Sequence, residues 1–76
     1  MPYPNEHSCR LLPPSTPHRA VRRSSRTFKG KQADVIWYIM DEGTKMQAVR
    51  FPKDRWSASE ARAVCQSLGG TFEPAR

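Results

Sequence analysis

The stretch RFPKDRWSASEARAVCQSLGG, Arg50 to Gly70, decides the fold. Pro52 has no N–H to give a ladder, so it ends whatever strand precedes it. Ser57 offers an N-cap hydroxyl, and Glu60 three residues later can reach back to the Ser57 backbone, which makes a capping box. Trp56, just before the cap, can lean on Ala61 as a hydrophobic staple. Ala61, Val64, Cys65 and Leu68 recur at i, i+3, i+4 and i+7, a single apolar stripe. Arg62, Gln66 and Ser67 turn away from it. Gly69 or Gly70 supplies a left-handed C-cap. The spacing predicts a helix over residues 58–68 that folds back over a preceding hairpin.

That hairpin is legible upstream. Residues 33–40, ADVIWYIM, are rich in β-branched and aromatic side chains and read as the strongest strand in the chain. Val35, Trp37 and Ile39 share one face; Ile36, Tyr38 and Met40 share the other. Asp41-Glu42-Gly43 reads as a three-residue loop, and residues 44–51 as the returning strand. One helix covers one face of a sheet, so a strand apolar on both sides poses a choice. Either Trp37 or Tyr38 is partly exposed, or the N-terminal segment covers the second face.

The flanks are weaker. Residues 1–6 read as a frayed, Pro-rich start, and residues 7–12, HSCRLL, alternate as a short half-buried strand ended by Pro13-Pro14. Residues 15–31 hold Pro, Ser, Arg and Lys with only Val21 and Phe28 as sizeable apolar residues. They read as a loop or disordered linker, with order resuming at Gly30. Thr71 to Glu73 reads as a short last strand before Pro74. The expected fold class is α+β: a small antiparallel sheet, a central hairpin with short flanking strands, packed against one helix. Residues 1–32 form an extended, basic N-terminal segment and residues 33–76 the hairpin–helix–strand core.

Length and charge bound the function. A chain of 76 residues is one domain. It buries only about 60% of its unfolded surface, so its stability is marginal unless something reinforces it. Residues 1–33 carry seven Lys/Arg against Glu6, whereas residues 34–76 carry six of each sign. The whole net charge of +6 thus belongs to the N-terminal part. Arg19, Arg22, Arg23, Arg26, Lys29 and Lys31 are the candidate polyanion-binding set, with Trp37 and Tyr38 as candidate exposed aromatics for base stacking. Arg50, Lys53, Arg55 and Arg62 extend that patch, while Asp34, Asp54 and Glu60 interrupt it. The bland alternative is a solvated linker that keeps the chain soluble.

No stretch approaches the length of a membrane span, and MPYPNEHSCR lacks the apolar run of an export signal. The expected location is cytoplasmic, with no membrane partner and with Cys9 and Cys65 as free thiols. Cys65 lies on the apolar stripe and reads as a small buried hydrophobe. A catalytic thiolate needs a nearby base and a positive pocket, and no local arrangement supplies them. His7, Cys9, His18 and Cys65 match no usual zinc spacing. A Cys9–Cys65 disulfide is the other reading, open if the first strand runs beside the helix. Asp41 and Glu42 are turn carboxylates, and no glycine-rich phosphate loop is present. No catalytic, cofactor or metal residue is assigned, and the chain is expected not to be an enzyme.

Four pieces in one order carry a resemblance: NEHSCRL (Asn5–Leu11), GKQADVI (Gly30–Ile36), QAVRFPKDRWSASEAR (Gln47–Arg62) and GTFEPA (Gly70–Ala75). Together they resemble a small module of phage and prophage proteins that occurs alone or near head-maturation protease and scaffold-type proteins. The resemblance implies a prophage-related origin, a cytoplasmic location in a bacterium and a link with head assembly. It assigns no catalytic residue. Residues 12–26, LPPSTPHRAVRRSSR, depart from it in their proline and arginine. The expected function is a non-enzymatic accessory module with a protein partner in phage assembly. The alternative is a nucleic-acid-binding accessory domain that uses residues 19–31.

Overall fold

The computed structural model describes residues 4–75. They form β1 (Glu6–Arg10), β2 (Ala20–Phe28), β3 (Lys31–Met40), β4 (Gly43–Pro52), α1 (Ala58–Leu68) and β5 (Thr71–Glu73). The fold is α+β: a five-stranded antiparallel sheet in the order β2-β3-β4-β1-β5 with one helix packed on it. The frayed start expected at residues 1–6 lies, for residues 1–3, outside the described residues. None of the described helices is long and apolar enough to cross a membrane.

The expected linker is the main correction. Residues 20–28 form β2, a nine-residue strand paired with β3 from Ala20↔Ile39 to Phe28↔Lys31. The turn that closes this hairpin explains it. Lys29 and Gly30 both have positive φ, 50° and 78°, the pattern of a two-residue type I′ turn, whose twist matches that of the flanking strands. Order therefore begins well before Gly30, and the basic segment belongs to the sheet. The β3–β4 turn is also tighter than expected: Met40 pairs with Gly43, leaving only Asp41 and Glu42 between the strands.

Cross-strand partners share a face, so the registers sort the sheet. Cys9, Ala33, Val35, Val49 and Phe51 lie on the helix side and join Trp56, Ala61, Val64 and Cys65 in one buried cluster. Leu11, Phe28, Trp37, Met46, Leu68 and Phe72 are half-buried around it. The helix backbone lies nearest β1 and β5, rather than over the β3–β4 hairpin as expected. Val64 and Cys65 still reach the cluster that contains Val35, whereas Met40 is on the opposite face.

The helix boundaries follow the sequence signals. The Ser57 Oγ accepts from the Glu60 N–H at 3.2 Å, and the Ser57 N–H donates to Glu60 Oε1 at 3.1 Å. Gly69, at φ 79°, is the left-handed C-cap. Gly70 has a different reason to be glycine. A Cβ there would collide with Cys9 Sγ and lie 2.8 Å from a Leu11 methyl carbon. The chain thus needs a residue without a side chain where β5 starts alongside β1.

Two further devices place β1. In β4, Ile36↔Ala48 is followed by Trp37↔Met46, which leaves Gln47 bulged. The Gln47 carbonyl accepts from Leu11 and Leu12 N–H at 2.7 and 3.1 Å, and its side-chain amide donates to the Leu12 carbonyl at 2.9 Å. A bulge re-aims an unpaired residue, and here it clamps the exit of β1. At the other end, buried His7 donates from Nε2 to the Trp56 carbonyl at 3.1 Å and accepts the Ala75 N–H on Nδ1 at 2.8 Å. His7 thereby ties β1 and Ala75 to the helix entrance.

Cys9 and Cys65 are joined in a disulfide, with Cα atoms 5.5 Å apart. The expectation of free thiols is corrected, and the alternative of a bond between β1 and the helix is the arrangement found. The bridge spans a sequence separation of 56 residues, and closing a loop of that size lowers the entropy of the unfolded chain by an amount worth roughly 4 kcal/mol.

Two outcomes are expected. Replacing both cysteines (Cys9→Ala with Cys65→Ala) lowers unfolding stability by ~2–5 kcal/mol in denaturant titrations, and the variant no longer responds to a reductant. The second concerns pH. Lys31 Nζ donates to Glu60 Oε2 at 2.7 Å. This bond, with those from Ser57, lowers the Glu60 carboxyl from an ordinary 4.5 to about 2. A carboxyl depressed in the fold adds stability above its unfolded value and loses it as pH falls through its folded value. Glu60→Gln should flatten the stability profile between 4.5 and about 2, read by thermal melts across that window.

Candidate functional site

The six cations singled out in the sequence do not form one patch, because strand alternation divides them. Arg22 and Arg26 project on the helix side of β2, opposite Trp37 and Ala33 respectively. Arg23 projects on the other side, and Lys29 sits in the turn. Three of the six are already committed. Arg19 pairs with Asp41 at 3.3 Å, Lys31 with Glu60 at 2.7 Å, and Arg23 with Asp34 at 2.6 Å and Glu6 at 3.1 Å. Among the described residues Arg22, Arg26 and Lys29 make no such ion pair.

The polar face of the sheet holds the densest charge network. Asp34 accepts from Arg23 Nε and from the Ser25 hydroxyl as well. Glu6 bridges Arg23 to Arg50, the latter at 3.8 Å. Hydrogen bonding to Asp34, reinforced by the charges of Asp34 and Glu6, holds the Arg23 guanidinium above its ordinary value. These groups are part-exposed, so each pair contributes only ~0–1 kcal/mol. Their geometric effect is larger: one guanidinium ties β2, β3 and β1 across the face.

The aromatics answer the choice posed by the two-sided strand, and both alternatives hold in part. Tyr38, a candidate exposed aromatic, is buried. Residues 13–18 fold over it: its hydroxyl donates to the Pro14 carbonyl at 3.1 Å, and the His18 ring stacks on it at 3.8 Å. Trp37 is half-buried, packed against the edge of the core. Its indole N–H donates to Ser24 Oγ at 2.9 Å, and the Arg26 guanidinium lies 5.9 Å from its ring centroid. Trp37, Ser24, Arg22 and Arg26 thus form one cluster where β2 meets β3.

The remaining candidates are in use or apart. Both His7 nitrogens bond to backbone, and Cys9 and Cys65 are bonded to each other. His18 lies on Tyr38, across the sheet from them. Among the described residues no three of His, Cys, Asp or Glu are grouped to hold a metal ion. A groove of about 300 Å³ on the polar face runs past Ser8, Arg10, Pro14, Tyr38 and Glu73. A more open depression of about 790 Å³ lies between Pro4–Glu6 and Pro52–Asp54. A third, of about 270 Å³, holds Asp41 and Glu42 beside Thr16, His18 and Arg19, where Asp41 is paired with Arg19.

Sequence reading missed the most distinctive feature of this surface, the free edge of β2. The strand pairs with β3 on one side only, and its residues are exposed except Ser24 and Phe28, which are half-buried. Val21, at 56%, is the exposed large hydrophobe of the described residues. The signal available was the Lys29-Gly30 turn, which lacks the Asn-Gly or Asp-Gly form that marks such hairpins most strongly.

Ser24→Ala should speed solvent exchange of the Trp37 indole proton in NMR spectra and cost about 1 kcal/mol of stability. The Trp56 indole proton, which donates to the Gln32 carbonyl at 3.0 Å, should exchange as before. Comparison of the chain with protein-family models, with curated proteins and with solved structures finds no match in any of the three.

Proposed function

We propose that this chain is a non-enzymatic accessory module of the prophage type its sequence resembles, working in the cytoplasm by binding a protein of phage head assembly. The observation that carries the reading is the open β2 edge: nine residues of strand with one ladder side unpaired, an arrangement suited to another polypeptide. The resemblance of NEHSCRL, GKQADVI, QAVRFPKDRWSASEAR and GTFEPA supplies the phage context. The disulfide is the observation that weighs against a reducing compartment; both cysteines are fully buried, which slows its reduction, since thiol exchange requires access to the sulfur.

The second reading, nucleic-acid binding by residues 19–31, draws on the Arg26–Trp37 contact. It is weaker because half of the cations it needs are held by carboxylates of the fold. With Arg22, Arg26 and Lys29 left for phosphates, the salt dependence of single-strand binding would have a slope of only about −2.

The test pairs two titrations of the intact chain. Purified phage capsid, scaffold and portal proteins are offered in one, and single-stranded and duplex DNA across a salt series in the other. Binding of one of those proteins, with DNA retained only at low salt, is the expected result. Tight DNA binding with a steep slope, lost in an Arg22→Ala, Arg23→Ala, Arg26→Ala variant, would transfer the assignment to the second reading.

A further inference from the structure

We infer that β2 is a docking edge for an extended acidic segment of the protein partner, which adds to the sheet as a sixth strand. The inference rests on the interaction-module reading above and specifies the chemistry of the partner. Addition of a strand to a free edge gains its affinity from main-chain hydrogen bonds and its specificity from alternate side chains. β2 is suited to this by length and exposure. It has nine residues, contains no proline, and its register shift-free pairing with β3 keeps it regular.

Charge selects among the occupants of such an edge. A second copy of β2 would place its arginines among those of the first, and like charges across a ladder repel. Charged edges are a means by which proteins avoid pairing with themselves. Nucleic acid has no backbone to match the ladder, and Arg19, Arg23 and Lys31 are already paired within the fold. An acidic peptide strand satisfies both requirements.

The alternation of β2 states what that strand should carry. Arg22 and Arg26 share the helix-side face with Ser24 between them. Two carboxylates four residues apart, with a small residue midway, would meet this row. On the other face exposed Val21 offers an apolar contact beside Arg23. The partner segment therefore has acidic residues on one face and an apolar residue on the other.

The test uses the full chain and a synthetic peptide of that pattern, with Glu facing Arg22 and Arg26, Ser between them, and Val opposite Val21. A version with Lys for Glu is the charge control. Two further versions are N-methylated at odd or at even residues, so that only one of them loses the N–H groups that face the edge. Titration is followed by NMR. The expected result has three parts. The Glu peptide shifts β2 amide signals, and the Lys version binds at least about tenfold more weakly. One N-methylated version fails while the other binds. Arg22→Glu with Arg26→Glu, both at exposed positions, reverses the preference between Glu and Lys peptides.

The inference is overturned if the Glu peptide leaves β2 unshifted, or if both N-methylated versions bind alike, which would mean attraction by charge alone. It is also overturned if a single-stranded oligonucleotide displaces the peptide. Failure of the function reading looks different. If head-assembly proteins bind the charge-reversed variant as well as the native chain, the edge assignment falls and the module reading stands. If they bind neither while the peptide binds β2, the reverse holds.

Discussion

The bond between Cys9 and Cys65 is the constraint on which this small fold depends. A domain of this size buries too little surface for packing alone to give a wide margin of stability. The bridge adds a covalent tie between the first strand and the only helix, which are far apart in sequence. It also dictates local detail. Gly70 must lack a side chain because Cys9 and Leu11 occupy the space where one would go. The helix sits nearest β1 and β5 because Cys65 is held there. Around the bridge, His7 and the Gln47 bulge pin the two ends of β1, so the N-terminal strand is fixed by side-chain chemistry along its whole length.

The two faces of the sheet solve different problems. The helix side excludes water with Phe51, Trp56 and Val49. Trp56 does so with its indole N–H satisfied and its ring edge-on to Phe51 at 4.8 Å. Among the described residues, the other side has no second layer. It is covered near Tyr38 by residues 13–18, which follow the bend at Leu11 and Leu12 where β1, expected over residues 7–12, has already ended at Arg10. Elsewhere it is closed by charge pairing through Arg23, Asp34, Glu6 and Arg50. A basic N-terminal half thereby becomes compatible with a folded sheet, since several of its charges meet carboxylates brought from distant strands.

That pairing bears on the proposed function. Neutralising Arg19, Arg23 and Lys31 internally turns a diffuse basic segment into a more selective surface, in which Arg22 and Arg26 flank Trp37 along an open strand edge. A disordered basic arm would attract any polyanion. A rigid edge with cations at fixed spacing would discriminate by register and by side-chain alternation, as the proposed recognition of a protein partner requires.

Local signals determined much of this chain. The capping box at Ser57 and Glu60, the apolar stripe of the helix, the glycine at its end, the central hairpin and the terminal strands were all legible, because each depends on neighbours a few residues away. The candidate site was legible only as a list of cations and aromatics. Tertiary structure decided how they divide: which arginines meet carboxylates, that Tyr38 is covered and Trp37 left at the rim, and that Cys9 reaches Cys65. It also decided β2. Its residues are mostly polar on both faces, so no hydrophobic period announces a strand; pairing with β3 through a tight turn is what makes it one. The physical reason is common to all of these: they are pairwise contacts between segments that only the folded sheet brings within bonding distance.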